Sequence, residues 1–294
     1  MGKNRINDRK KRAEGKLTKS AICGDIAYDI VTKDKFYAGS ILRGNGYPTL
    51  ADLGVVVRGE LLLPQQGVCD IVEILSMGDE LVVKNTILEA SEGVLFLNNR
   101  NSRLYINGLE TEFEDLRMRL SNGIWIIQKK YTAHKKIKAI NASALNVLRI
   151  VTAYNGRDYV LIGGFQGFAT NNASTDSWSE GSIYVGIDFR KQCLKKYGLR
   201  SPWHEGPGLY EKHPDSKIIF EGYPIPFIRE ARDMCLSAHR LFYTNVLLGW
   251  DVAITQDGPV IVEVNEKPGM NVLQCLDINT SRKLLSLFND LERL

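Results

Sequence analysis

The sequence predicts an α+β fold, and three features carry that prediction. A helix-spaced opening over residues 22–36 gives way after Gly54 to short β-prone runs parted by glycine-containing turns. Apolar residues at helical spacing, Ile228, Ala231, Met234, Cys235, Ala238 and Leu241, mark a core-facing helix over about 226–243. Between 249 and 265, two short apolar strands are joined by Gln256, Asp257, Gly258 and Pro259, a connection that favours a hairpin.

With 294 residues, 44% hydrophobic and 24% charged, the chain has enough apolar material for one large core or two lobes. Residues 2–12 carry more than the whole net charge of +4, so the remainder is nearly neutral and a nucleic-acid footprint is not expected. This basic arm reads as a solvated, frayed helix start; a weak peripheral contact with anionic lipid or a phosphorylated substrate is the alternative. No apolar run approaches the roughly 18 residues of a transmembrane helix, and no apolar signal core follows the basic start. The expected location is the cytoplasm. The five cysteines, Cys23, Cys69, Cys193, Cys235 and Cys275, are widely spaced, with no Cys-x-x-Cys pair, and read as small core residues or inert thiols.

Taken in order, one helix is expected over 22–36, followed by residues 37–42 and a breaker at 44–48. Strands are expected at 55–57, 61–63, 71–75, 80–84, 93–97 and 103–106, then a helix over 112–120 that stops at Ser121-Asn122-Gly123. Residues 123–131 form an apolar strand that turns polar. From 195 to 226 runs a connection rich in proline, glycine and aromatics, including Trp203, His204, Tyr210 and His213. Such a long connector faces substrate or packs as an ordered lid, which makes His213 a substrate-binding candidate. An amphipathic helix is expected over 281–294.

In the closing hairpin, strand alternation sends Glu263 and Asn265 to one face, and the turn returns Asp251 beside them. Two carboxylates and an amide oxygen are the hard donors that suit magnesium shared with a triphosphate. No Ser-His-Asp ordering or zinc spacing supports a hydrolase.

The run 249–255, Gly-Trp-Asp-Val-Ala-Ile-Thr, followed by Asp257-Gly258-Pro259, then Glu263-x-Asn265 with Pro268-Gly269 behind it, resembles the end of an ATP-grasp domain, specifically that of the sugar-transfer-associated ATP-grasp family. D-alanine ligases close on a looser form of the same signature. The resemblance spans about 35–276 and is strongest over 131–274. It implies an ATP-grasp fold, two lobes with mainly antiparallel sheets clasping one nucleotide. The lobes would run over 32–127 and 128–294, behind a basic arm and helix at 1–31, with no full pre-grasp domain in front.

The resemblance also implies roles. Asp251, Glu263 and Asn265 would hold Mg2+, with Glu263 bridging two ions; Lys84 and Lys35 would reach the phosphates of ATP. A loop with Ser91-Glu92-Gly93 follows Lys84, although its start at 85–90 lacks the glycine-rich character that wraps phosphate closely. Gln128 and the backbone of Lys129, Lys130 and Tyr131 would receive the adenine, while Trp125 reads as a core aromatic. Asn146 and Arg149 match an Asn-x-x-Arg pattern whose arginine faces the transferred phosphoryl group. Asp176 would be an acceptor-orienting base, Gly181 and Ser182 would allow close approach of substrate, and Lys267 joins them as a substrate contact. The chain departs from the family at Gln166, where relatives have arginine, and at Ser177, where they have asparagine.

The implied activity is that of an ADP-forming carboxylate-amine ligase working through an acyl phosphate. Its substrates would be a sugar carboxylate, such as a uronic acid, and an amino acid or other amine, in surface polysaccharide biosynthesis. A small-molecule or sugar kinase on the same fold, and a nucleotide-binding module without turnover, are the alternatives.

Overall fold

The computed structural model describes residues 26–88, 93–101, 103–201 and 208–291. The basic arm, Cys23, Ser91, Glu92, Trp203 and His204 lie outside them. Two helices, α1 (Ile26–Lys33) and α2 (Lys35–Gly44), stand where one was expected, and α2 takes in the segment 37–42. Asp34 causes the break: its carboxylate accepts from the backbone N–H of Phe36 at 2.9 Å and Tyr37 at 3.1 Å, capping a new helix.

The first sheet has eight strands: β1 (Asp52–Val57), β2 (Glu60–Leu63), β3 (Gly67–Cys69), β4 (Glu80–Asn85), β5 (Val94–Arg100), β6 (Arg103–Ile106), β7 (Leu109–Glu110) and β8 (Ile124–Lys129). They lie in the order β3-β2-β1-β8-β4-β5-β6-β7, antiparallel throughout. Residues 71–75 are not a strand as expected. They belong to a 3-10 helix, Ile71–Met77, begun by the Asp70 carboxylate accepting from the Val72 N–H at 3.0 Å. At three residues per turn Ile71 and Ile74 fall on one face, and both are buried. Helix α3 (Phe113–Arg119) buries Leu116 in the same core, with Trp125 and Ile127 from β8.

The second sheet has seven strands: β9 (Leu148–Tyr154), β10 (Tyr159–Phe168), β11 (Ile183–Asp188), β12 (Cys193–Arg200), β13 (Gly208–Tyr210), β14 (Leu247–Ile254) and β15 (Pro259–Asn265). Their order is β13-β12-β11-β10-β9-β14-β15. The stretch read as a connector from 195 onward therefore begins as a strand, and its Gly208–Tyr210 portion pairs back onto it. The polar and aromatic residues there had masked the β alternation. Apolar residues cover both faces of this sheet. One core takes in α4 (Lys135–Ile140) and α5 (Ile228–Ala238); the other receives α6 (Met270–Leu276) and α7 (Asn279–Leu291). The stripe predicted over 226–243 holds, but its end tightens into a 3-10 turn, His239–Phe242.

Of the described cysteines, Cys235 is a core residue and Cys193 is buried; all four are free thiols. Among the described residues no helix is long and apolar enough to cross a membrane.

Candidate functional site

A cavity of about 340 Å³ opens between the two sheets. Its first wall is the exposed face of the eight-stranded sheet, because alternation points Trp125 and Ile127 into the small core and leaves Gln128 on the other face, beside Val82 and Lys84 of β4. Phe96, Leu50, Val82 and Leu145 give it apolar sides, and residues 128–133 form its end. Across from them stand Lys35, Asp176, Asp251 and Glu263.

The acidic residues come from adjacent strands. Asp251 on β14 is directly opposite Glu263 on β15 and, on its other side, opposite Arg149 on β9. A register shift follows Asp251 in the β14–β15 pair. Arg149 donates to both Asp251 oxygens, from Nε at 2.5 Å and from Nη2 at 3.0 Å. Asn265 Nδ2 donates to Asp251 Oδ2 at 3.3 Å. Glu263 Oε1 lies 3.2 Å from Lys35 Nζ, which also donates to the Leu88 carbonyl at 2.6 Å.

Burial dominates the charges here. It raises the Glu263 carboxyl above the usual range, with Lys35 opposing, and lowers the Lys84 ammonium, with Glu263 opposing. Burial also works against the Arg149 charge, yet Asp251 outweighs it and holds that guanidinium above its ordinary value. Asp176 is pushed up to about 6 by burial, against the backbone N–H of Val147 that donates to its Oδ2 at 2.7 Å. Only a glycine fits behind it, since a Cβ at Gly167 would stand 2.6 Å from Asp176 Oδ2.

The donor set is one that a hard divalent cation takes: two carboxylates and an amide, facing cationic side chains that already hold part of their charge. Among the described residues no group of three or more His, Cys, Asp or Glu that could hold a metal ion by themselves occurs.

The structure thus gathers Lys35, Lys84, Gln128, Lys129, Lys130, Tyr131, Asp176, Asp251 and Glu263 around one cavity, with Arg149 and Asn265 reaching it through Asp251. Lys130 pairs with Glu80 at 2.8 Å at the rim.

Other expected residues do not come to the cavity. His213 is fully buried: its Nε2 is 3.0 Å from the Ala169 carbonyl and its Nδ1 receives the N–H of Asp215 and Ser216, so it braces a loop. Asn146 is also sealed, its amide donating to the carbonyls of Asn141 and Ala144 and its oxygen accepting from Ala169 N–H. The Gly181 carbonyl accepts from Thr170, Ser182 is fully buried, and Lys267 turns outward to Glu266 at 3.5 Å. Each was assigned from its neighbours in sequence, and each lies in a connection outside the strands, where the hydrogen bonds of the loop decide which way it turns. Gln166 is likewise enclosed, donating to the Asn146 carbonyl at 2.6 Å, so the arginine-to-glutamine departure lies in the interior.

Sequence reasoning missed Asp52 and Arg43, which hold Gln128 from behind: Gln128 Nε2 donates to Asp52 Oδ1 at 2.7 Å. Nothing local marks them, because the pairing is made by strand register across 76 residues.

The sequence profile described as sugar-transfer associated ATP-grasp matches residues 26–289. No curated protein is similar enough to match. Among solved structures, the D-alanine–D-alanine ligase of Bacillus anthracis aligns with a TM-score of 0.52 at 14% identity, over 92% of this chain and 69% of that one. The same enzyme complexed with ATP gives a TM-score of 0.52 at 13% identity with the same coverage.

Proposed function

The chain belongs to the sugar-transfer associated ATP-grasp family, and from that premise we propose that it is an ADP-forming carboxylate-amine ligase. The observation that carries the reading is the Arg149–Asp251–Glu263 row across three neighbouring strands, facing Lys35 and Lys84 over one cavity. The chain shares its fold with a D-alanine–D-alanine ligase, so a ligase is one chemistry that this scaffold carries. On this reading the lobes divide as 32–127 and 128–294.

The base of ATP lies against Gln128 and the backbone of 129–131, between the apolar walls of Leu50, Val82 and Phe96. Lys35 and Lys84 draw the phosphates in line and Arg149 steadies oxyanion charge with its two-pronged guanidinium, so catalysis is mostly positioning and electrostatics. Asp251, Glu263 and Asn265 would hold Mg2+, which when bound would neutralise charge on attacking and leaving oxygens. The substrate carboxylate oxygen bonds to the γ-phosphorus as the bond to the ADP oxygen breaks. An amine then bonds to the acyl carbon and inorganic phosphate departs; Asp176, half protonated near pH 6, is placed to take the proton the amine must lose. A sugar acid such as a uronic acid, joined to an amino acid or other amine in surface polysaccharide assembly, is the substrate pair we propose. The site is proposed to work in the cytoplasm, with a weak contact between the basic arm and anionic lipid as a further proposal.

Mass spectrometry with phosphate detection tests the reading, using MgATP and uronic acids or their nucleotide sugars against amino acids, with Glu263→Ala as blank. Free phosphate and a product equal to both substrates minus water is the expected result. A product that keeps one phosphate would make the protein a kinase. MgATP binding without ADP release on any pair would make it a binding module.

A further inference from the structure

Between Asp115 and Asp158 the chain has no acidic residue, and five of the ten residues from 129 to 138 are lysine: Lys129, Lys130, Lys135, Lys136 and Lys138. All five are exposed. Helix α4 buries Ile137 and Ile140 and so turns Lys135, Lys136 and Lys138 outward together. Among the described residues only Lys130 of the five reaches a carboxylate, Glu80 at 2.8 Å. The positive field is felt locally: after burial, Lys135 and Lys136 are what lower the His134 ring. Like charges gathered on one face repel one another, and an anionic partner relieves that repulsion.

The basic face continues into the cavity. Lys129, Lys130 and Lys138 belong to its lining, as do Ser143, Thr175 and Asp176. Ser143 Oγ donates to the Ala173 carbonyl at 2.7 Å and the Val147 N–H donates to Asp176 at 2.7 Å, so the segment that leaves α4 and the segment 173–176 make one wall. Ser143, Thr175 and Asp176 are half-buried, which leaves this wall open to a ligand. The Ser143 hydroxyl donates to Ala173 and that of Thr175 to Glu180, so each offers an acceptor oxygen to a sugar hydroxyl. The lysines answer several negative charges, more than a single uronic acid carries.

We propose that Lys135, Lys136 and Lys138 form a docking surface for an oligomer of sugar acids, whose tail carboxylates lie on the lysines while its end sugar enters along Ser143 and Thr175 and brings its carboxylate beside Asp176. This rests on the sugar-carboxylate ligase reading and deepens it, from a single uronic acid to an acidic chain. An anionic membrane would meet the same charges but stop at the rim, leaving the hydroxyl wall unused.

Fluorescence anisotropy of a labelled oligogalacturonate with the full chain, without ATP, tests the surface. With galacturonic acid as unlabelled competitor, the oligomer should bind about ten-fold or more tightly at equal carboxylate concentration. The gain should fade as salt rises, because exposed charges are screened. In Lys135→Glu/Lys136→Glu, at two positions outside the cavity lining, oligomer affinity should fall by about ten-fold with an unchanged circular-dichroism spectrum. Lys135→Gln/Lys136→Gln should fall part of the way, and it decides the matter if the charge reversal does not fold.

An oligomer that binds no more tightly than the monomer, or equally to wild type and folded variants, would overturn the proposal and leave the ligase reading standing. Equal binding of poly-L-glutamate would overturn the sugar assignment. Tighter binding to phosphatidylglycerol vesicles, lost in the same variants, would overturn it in favour of a membrane contact. Oligomer binding as expected, with no condensation product in the ligase assay, would overturn the ligase reading and support the docking surface.

Discussion

Arg149 and Asp251 face each other on neighbouring strands, and the guanidinium grips the carboxylate at both oxygens, 2.5 Å from Nε and 3.0 Å from Nη2. Each partner offsets the burial cost of the other, so neither is tolerated there alone. Glu263, one strand further, repeats the arrangement with Lys35. The negative groups proposed to hold magnesium are thus paired with the cations proposed to hold phosphate, and binding MgATP exchanges one set of pairings for another.

Replacing Arg149 separates these roles. Arg149→Lys keeps the charge but not the fork, and turnover should fall by about 10²–10³. Arg149→Ala also strands the Asp251 carboxylate and should destabilise the fold by about 3 kcal/mol, read by urea denaturation. Full activity in Arg149→Lys would remove the arginine from the chemistry.

Magnesium removal should stop ADP release and spare the fold. Excess chelator is expected to abolish turnover, and added Mg2+ to restore it, with the melting temperature of the nucleotide-free protein unchanged. Asp251→Asn should need a higher Mg2+ concentration for half-maximal rate, since one anionic donor is lost. A metal-independent rate would refute the assignment of Asp251, Glu263 and Asn265.

Asp176 should show a trade between activity and stability. Its folded value of about 6 lies above the 3.8 of a solvated aspartate, so the contribution it makes to stability is complete below 3.8 and is lost as pH rises through 6. Asp176→Asn keeps an acceptor for the Val147 N–H and removes the buried charge. At pH 8 the variant should be more stable by up to about 3 kcal/mol and much less active. Denaturation at pH 8 and pH 4 should show the gain at the higher pH only.

His239 should make the protein acid-sensitive. It is fully buried, with Nε2 at 2.9 Å from the Asn245 carbonyl and Nδ1 at 2.8 Å from Thr152 Oγ1, which itself accepts from Trp250 Nε1 at 2.7 Å. The carbonyl can only accept, so the neutral ring carries its proton on Nε2. Burial lowers the ring from 6.5 to about 4. The unfolded chain therefore gains a proton first as pH falls, and stability is lost between 6.5 and 4, by about 2 kcal/mol from pH 7 to pH 5. His239→Gln should flatten that slope in urea titrations at the two pH values. An unchanged slope would show that other groups carry the effect.

Much of the fold was legible where period and punctuation agree. The β14–β15 hairpin, the β4 and β8 strands and the stripe of α5 follow from alternation, a Gly-containing turn and helical spacing, all of which are local. The errors are also local in origin. Residues 71–75 are as β-prone as a strand, but the Asp70 cap and the burial of Ile71 and Ile74 favour a 3-10 turn. His213, Asn146 and Ser182 sit in segments that resemble site segments, but in loops between strands, and all three are fully buried away from the cavity.

By itself the sequence determined which chemistry was available: the carboxylates Asp251 and Glu263 and the amide of Asn265 on one hairpin, a lysine at a strand end and another at a helix start, and the family signature that links them. These depend on residue type and short spacing, which a chain carries before it folds. Only the tertiary structure decided that Arg149 meets Asp251, that Lys35 reaches Glu263 and that Asp52 orients Gln128, at separations of 102, 228 and 76 residues (263 minus 35 for the second). Those contacts are set by strand order and register. Each is one pairing chosen from many that local sequence leaves equally open, and the packing of the two sheets makes the choice.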